Sequence, residues 1–163
     1  MRLRFEKIDL AHFSVCVQFR TDSYQCSFGS TMGLAEEMGP DGQRYREKIE
    51  LRGRDARWGY YHVWQGDEII GQLEFRSYSE QQEGWGYVHL FYLAPAFRGR
   101  GLFPTLQDFV TDALRAQRCR GAFLSVSPTN TRALRCYQKH GWRFFDDSPK
   151  RPGSAIFCYE FPA

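Results

Sequence analysis

The sequence lacks the features that mark membrane-spanning, secreted or repetitive proteins. No apolar run approaches the length needed to cross a bilayer, and there are no internal repeats or low-complexity tracts. Residues 1–6 include two arginines and one glutamate and have no apolar core of the signal-peptide type. We therefore expect a cytoplasmic protein with no membrane partner, and the length of 163 residues predicts one domain over residues 1–163.

Clustered metal ligands and a strong net charge are also missing. The formal net charge is only +3, from 22 basic and 19 acidic residues, so we expect no nucleic-acid partner. The five cysteines form no Cys-x-x-Cys pair and no Cys/His cluster at zinc-site spacing, which predicts free thiols and no metal site. They are Cys16, Cys26, Cys119, Cys136 and Cys158.

What the sequence does contain is a glycine turn between a predicted strand at residues 87–93 and a predicted helix at 102–117. A glycine-rich turn lets consecutive backbone N–H groups point the same way, and the first helical turn adds unpaired N–H groups and partial positive charge. Such a turn can cradle a phosphate or pyrophosphate. The alternative is a simple tight turn with solvated arginines. The turn comprises Arg98, Gly99, Arg100, Gly101, Leu102 and Phe103.

A second informative segment covers residues 130–142 and predicts a helix that ends at a glycine, followed by an aromatic strand. Asn130 and Tyr137 fall on one face of this helix, two turns apart, together with Ala133 and Leu134. That face therefore offers an amide and a phenol to a common ligand. The alternative is that Tyr137 is a core aromatic residue and Asn130 a helix cap.

Together the two segments resemble the GNAT superfamily of acyl-CoA-dependent N-acyltransferases. Residues 93–101 are similar to its pyrophosphate-binding motif, Arg/Gln-x-x-Gly-x-Gly/Ala, with the preceding strand. Residues 130–142 are similar to its second motif, Asn-x-x-Ala-x-x-x-Tyr-x-Lys-x-Gly-aromatic. The resemblance is specific over residues 86–145. One departure is Phe103, where the family has a small residue; the following Pro104 has no N–H to donate but suits a first helical turn.

The order of predicted elements agrees with the fold that this resemblance implies. A strand meander followed by β-α-β-α-β-β favours a largely antiparallel sheet with one parallel crossover. The resemblance implies a GNAT-like α+β fold: a twisted, mostly antiparallel sheet of about six or seven strands, with a splayed parallel pair, flanked by about four helices. Strands are predicted at 3–8, 58–65, 69–78, 85–93, 122–126, 142–145 and 154–161, and helices from residue 9, within 34–51, at 102–117 and at 130–140.

The resemblance also implies acetyl-CoA as the acyl donor and assigns roles to the residues of the two motifs. Residues 98–103 would hold the pyrophosphate, and backbone groups of Phe91 and Leu93 would pair with the pantetheine. Asn130 would orient the pantetheine or a water molecule. Tyr137 is the expected general acid, because a phenol stays protonated at neutral pH and can donate to the departing thiolate. Nearby arginines could hold the 3′-phosphate.

His89 is the expected base that deprotonates the acceptor amine. A neutral imidazole can accept a proton near pH 7, and strand periodicity puts His89 on the same face as Phe91 and Leu93. Such a base predicts a rate that rises with pH through roughly 6 to 7.5. The alternative is a histidine hydrogen-bonded within the sheet. The reserve candidates are Glu74, Glu83 and Tyr87.

The acceptor cannot be read from these patterns beyond a small-molecule or peptide amine. Aminoglycosides, polyamines, amino acids and protein N-termini all remain open, and a homodimer is compatible with the resemblance. A non-catalytic acyl-CoA-binding sensor or scaffold is the alternative function, and nucleic-acid binding is a distant third. The residues expected around the acceptor, or else in the core, are Tyr24, Phe28, Met32, Tyr45, Trp58, Tyr60 and Tyr61.

Overall fold

A computed structural model describes residues 2–163 and contains one seven-stranded sheet over that range, in the order β1-β2-β3-β4-β5-β7-β6. Every neighbouring pair is antiparallel except β4 and β5, which run parallel. The expected α+β fold with one parallel pair is therefore confirmed. The strands are β1 Arg4–Lys7, β2 Trp58–Gln65, β3 Glu68–Arg76, β4 Gly86–Leu93, β5 Gly121–Val126, β6 Arg143–Asp147 and β7 Ala155–Glu160.

Five α-helices flank the sheet over the described residues, one more than expected because α2 is a separate short helix. Gly29, with φ of +67°, ends α1, and Gly39 separates α2 from α3. Pro104 lies in the first turn of α4, where its missing N–H costs no helical hydrogen bond. None of these helices combines the length and apolar composition of a membrane span. The helices are α1 Phe13–Phe28, α2 Leu34–Met38, α3 Gln43–Arg52, α4 Phe103–Ala116 and α5 Thr131–Lys139.

The two faces of the sheet are covered by different helices. On one face the main core forms where Leu106, Val110 and Leu114 of α4 pack on apolar residues of β2 to β5, and α5 lies against the same cluster. On the other face, α1, α2 and α3 enclose a second cluster that includes Cys16 and Tyr45. Strand β3 runs between these layers and is buried along most of its length.

The parallel pair separates after only a short stretch of pairing. The last partners are Val88 on β4 and Leu124 on β5, although β4 continues to Leu93 and β5 to Val126. Beyond that point each strand keeps its outer neighbour, β3 for β4 and β7 for β5, so only the inner edges lose their partners. The result is a wedge-shaped gap inside the sheet, where the inner edge of β4 has no strand partner along residues 89–93. The Leu93 carbonyl at the end of this edge accepts a hydrogen bond from Arg98.

Leu114 tests the contribution of the α4 core. It is 1% exposed, so Leu114→Ala should lower the free energy of unfolding by about 2–5 kcal/mol through lost burial and the cavity left behind. Leu51→Ala is the matched control, because Leu51 on α3 is 67% exposed and its truncation should change stability by less than about 0.5 kcal/mol. Urea unfolding at constant m-value measures both; equal effects would contradict this description of the core.

Candidate active site

The glycine turn presents a row of unpaired backbone N–H groups. Gly99 and Gly101 have φ of +71° and +74°, a region that glycine enters without strain. Within residues 2–163, none of the five N–H groups from Gly99 to Phe103 donates to a protein acceptor, and the first N–H beyond Pro104 to do so is that of Thr105. Both glycines are exposed and face open space. This geometry fits an anion at the N-terminus of α4.

The side chain of Arg98 anchors this turn to the rest of the protein. Its Nε donates to the Leu93 carbonyl at 2.8 Å, and its Nη2 donates to Asp22 Oδ2 at 2.7 Å. Tyr92 also donates to Asp22 Oδ2, at 2.5 Å. Burial would raise the pKa of Asp22, but the hydrogen bonds from Tyr92 and Arg98 outweigh it and the pKa is lowered. Arg98 is thus engaged by an ionised carboxylate of α1.

A cavity of about 470 Å³ lies between this turn, β4 and α5. Its lining includes nearly all the residues expected to bind the cofactor, and Arg132, Arg135 and Lys139 add positive charge. Arg100 is the exception, since its guanidinium lies over the Phe97 ring at 5.4 Å and does not line the cavity. The predicted residues that do line it are Phe91, Leu93, Arg98, Gly99, Gly101, Leu102, Phe103, Asn130 and Tyr137.

Tyr137 brings a phenol to this cavity. Its ring packs among Phe91, Phe103 and Trp142, with centroid distances of 5.7 to 6.3 Å. The residue is half-buried, and its hydroxyl has no hydrogen bond to any described residue. Desolvation raises the pKa of Tyr137, so the phenol is protonated at neutral pH. The apolar surroundings of the ring fit the interpretation of Tyr137 as a core aromatic residue. The unpaired hydroxyl fits its interpretation as a proton donor.

Asn130 caps α5, as its alternative interpretation predicts. Its Oδ1 accepts from the Ala133 N–H at 3.3 Å, and its Nδ2 donates to Ser27 Oγ at 3.5 Å. The cap fixes the start of α5 and links it to α1. The residue also lines the cavity between the glycine turn, β4 and α5, so it combines this structural role with a place in the cavity wall.

His89 lies at the point where β4 and β5 separate, one residue beyond the last paired position. Its Nε2 accepts a hydrogen bond from Arg76 Nε at 3.1 Å, and its ring stacks on Trp58 at 5.4 Å. His89 is an exposed residue of β4, between buried neighbours, and it lines both cavities. Desolvation by the protein atoms around the imidazole and the charges of Arg76 and Arg20 lower the pKa of His89 to about 3. The imidazole is therefore neutral near pH 7, with its Nε2 lone pair already engaged.

A second cavity, of about 370 Å³, lies on the other side of the same point. It is bounded by α1, α2, the end of β3, β5 and the segment 148–154 that connects β6 to β7. Four residues line both cavities and define where the two meet: Ser23, Ser27, His89 and Ser125. Ser125 also shares a hydrogen bond with the Tyr87 hydroxyl across the last paired positions.

Most of the large residues expected around the acceptor lie elsewhere. Of the seven, only Tyr24 and Phe28 line the second cavity. Tyr45 and Tyr60 are buried in the α1–α3 core, and Met32 is 84% exposed. Aromatic residues serve equally well as core or as pocket walls, so their positions depended on tertiary packing.

The reserve bases differ in their access to the site. Glu74 is 2% exposed and is held by the Tyr45 hydroxyl and the Gln72 amide, outside the lining of either cavity. Glu83 also lines neither. Tyr87 lines the second cavity, and burial raises its pKa, so it is protonated at neutral pH.

Sequence reasoning named Tyr24 but missed the polar residues that share its face of α1. Arg20, Ser23, Tyr24 and Ser27 recur at spacings of three and four, which places them on one side of the helix, and all four line the second cavity. This stripe was visible in the sequence as polar residues on a face that also carries an aromatic ring. The 148–154 segment, by contrast, had no local signal.

Two curated relatives match parts of the chain. Acetyltransferase Atu2258 of Agrobacterium fabrum is 36% identical over 59 residues, which is 36% of this chain and 42% of that protein. Mycothiol acetyltransferase of Corynebacterium glutamicum is 35% identical over 81 residues, which is 49% of this chain and 26% of that protein. The chain thus matches less than half the length of either relative.

A solved structure and a family model extend over much more of the chain. The PaiA N-acetyltransferase of Thermoplasma acidophilum, solved in complex with coenzyme A, superimposes with a TM-score of 0.82 over 99% of this chain and 100% of its own, at 13% identity, and so shares the fold. The family model described as acetyltransferase (GNAT) family matches residues 21–142, a range that contains both motifs and the junction between the two cavities. The chain therefore belongs to the acetyltransferase (GNAT) family.

Proposed function

We propose that this protein transfers the acetyl group of acetyl-CoA to a primary amine of a small molecule or peptide. The observation that carries the proposal is the meeting of two cavities at the end of the β4–β5 pairing. One cavity begins at an anion-binding turn and contains an unpaired phenol; the other opens on the opposite side with a polar lining. A donor and an acceptor entering from opposite sides would bring their reacting groups together at His89 and Ser125.

The glycine turn would hold the pyrophosphate of the donor through the unpaired N–H groups of residues 99–103. Arg132, Arg135 and Lys139 supply charge for its remaining phosphate. The free inner edge of β4 offers backbone groups to the pantetheine amides. The bound thioester would supply an activated acyl group. The residues of this chain would position the two substrates and transfer protons.

Tyr137 is the proposed acid. When the amine attacks the thioester carbonyl and the C–S bond breaks, the sulfur leaves as a thiolate that needs a proton. The half-buried phenol is protonated at neutral pH and so has a proton to donate to the departing sulfur, and the Tyr137 hydroxyl is engaged with no other protein group in residues 2–163.

The acceptor amine must lose a proton before it attacks. The surroundings of His89 favour the neutral amine, so no side chain that titrates near pH 7 is needed as a base. Burial and the positive charges of Arg76, Arg20 and Arg52 disfavour protonation of His89. An ammonium at the same place is also a cation, so these effects lower its pKa as well. We assign His89, as a neutral imidazole, the role of positioning the acceptor. The proton of the amine passes to water at the cavity mouth.

Donor binding at the turn is tested with Gly101→Asp. Acetyl-CoA at a hundred times its dissociation constant should stabilise the wild-type fold by about 2.7 kcal/mol, visible as a raised melting temperature. The substitution places a carboxylate against the phosphates and should abolish that shift. Gly66→Asp is the matched control, since Gly66 also has positive φ and open space around it but lies in the β2–β3 hairpin. A normal shift in Gly101→Asp would exclude the turn as the phosphate site.

The acid is tested with Tyr137→Phe, which removes only the hydroxyl. Turnover should fall about 10²-fold or more, the usual effect of losing a positioned proton donor, while the acetyl-CoA melting shift stays the same. Tyr159→Phe provides the control, because Tyr159 packs on Trp142 at 5.4 Å but lines neither cavity. An unchanged rate in Tyr137→Phe would return this residue to a packing role.

The pH dependence separates a histidine base from a bound acceptor with a lowered pKa. A group with a pKa of about 3 is already deprotonated at pH 5 and adds no slope between pH 5 and 8. In kcat, which reports the groups of the bound complex, His89→Gln should therefore keep the shape of the wild-type profile over this range at a lower overall rate. If the rising limb between pH 6 and 7.5 disappears in the variant, His89 is the base after all.

A further inference from the structure

The lining of the second cavity carries more positive than negative side chains. It contains four cations, Arg20, Arg76, Lys150 and Arg151, and two carboxylates, Glu37 and Glu80. Both carboxylates are already paired, Glu37 with Arg20 and Glu80 with Arg76 at 2.7 Å. Opposing the effect of burial, the charge of Arg20 lowers the pKa of Glu37, which keeps it ionised. No carboxylate in this lining remains free to meet a cationic ligand.

Lys150 and Arg151 are the two charges left over. Neither has a carboxylate within ion-pair distance among residues 2–163. Arg151 is held in place without being neutralised, because its guanidinium lies over the Phe28 ring at 4.3 Å and donates to the Tyr24 hydroxyl at 3.4 Å. Stacking on an aromatic face orients an arginine and leaves in-plane N–H donors for an anion.

Two further polar atoms of the same cavity lack partners. Arg20 Nε is a buried donor and Gln81 Oε1 a buried acceptor, and neither has a hydrogen-bond partner among the described residues. Buried polar groups in folded proteins are normally satisfied, so unpaired ones beside a cavity are available to a ligand or water that occupies it. The lining also carries several serine hydroxyls that can serve an oxygen-rich group: Ser23, Ser27, Ser148 and Ser154.

We infer that the acceptor is a small primary amine that also carries an anionic group, a carboxylate or a phosphate, which Arg151 and Lys150 bind while the amine reaches the junction at His89. This inference rests on the proposed acetyl transfer and narrows its acceptor. It excludes polyamines as preferred acceptors, because a second ammonium would meet only paired carboxylates and two uncompensated cations. The anion would also hold the amine at a fixed distance from its anchor, which selects for chain length.

The test is an acceptor panel of matched pairs, with thiol release from acetyl-CoA as the readout. Each L-amino acid is compared with its carboxamide, phosphoethanolamine with ethanolamine, and spermidine serves as the cationic member. We expect kcat/KM at least tenfold higher for the anionic member of the best pair. The carboxylate and phosphate arms distinguish the two sources of negative charge.

Arg151→Gln should bring the ratio of kcat/KM between the anionic and neutral members of a pair close to one, mainly through KM. It should leave the acetyl-CoA melting shift unchanged. Arg46→Gln is the matched control, since Arg46 also lies over an aromatic ring, Phe13 at 5.4 Å, but lines neither cavity. Equal rates within every pair, a preference for spermidine, or a preference that survives in Arg151→Gln would overturn the inference while acetyl transfer stands.

Two outcomes separate this inference from the proposed function beneath it. Failure of acetyl-CoA to raise the melting temperature of the wild type overturns both. If acetyl-CoA binds but no amine in the panel turns over, acetyl transfer to this class fails, and the same pairs are compared by melting shift of the coenzyme A complex. Stabilisation by the anionic member that Arg151→Gln removes then supports anion recognition; equal shifts for both members contradict it.

Discussion

The separation of β4 from β5 is the constraint on which the rest of the site depends. A sheet normally satisfies both edges of an inner strand, yet here the inner edges lose their partners after Val88 and Leu124. The outer neighbours hold both strands in place, so the free groups persist without unravelling the sheet. The two cavities meet there, and the residues that follow the last pair, His89 and Ser125, line both. A closed pair at this position would leave two unconnected surfaces.

Helix α1 joins the two sides of this gap. Asp22 binds Arg98 and so fixes the glycine turn, while the next residue, Ser23, and Ser27 about one turn further along line both cavities. Arg20, on the same helix, pairs with Glu37 at the wall of the second cavity. The two cavities therefore share one structural element, and a shift of α1 would alter both. Positioning by packed helices rather than by loops is what a reaction between two bound partners requires.

Local patterns predicted much of this architecture. Alternation and helical periodicity identified all seven strands and the main helices to within a few residues, because burial of one face imposes a period on the sequence whatever the partner is. The turn at Gly99 and Gly101 was also predictable, since both residues have a positive φ, which glycine adopts without strain. The α5 segment, with Asn130 at its start and a glycine after its end, carried its own boundary signals.

Only the tertiary structure decided which groups each functional side chain contacts. A sequence window cannot show that Arg98 binds Asp22, 76 residues earlier, rather than a phosphate. Nor can it show that Arg76, on the neighbouring strand, donates to His89 and contributes to a pKa near 3, far from the value of a free imidazole. The same holds for Tyr45 and Tyr24, equally aromatic, of which one lies in the core and the other at a cavity. The local backbone conformation depends on residues that are close in sequence. The charge state and accessibility of a side chain depend on groups that are distant in sequence and that folding brings together.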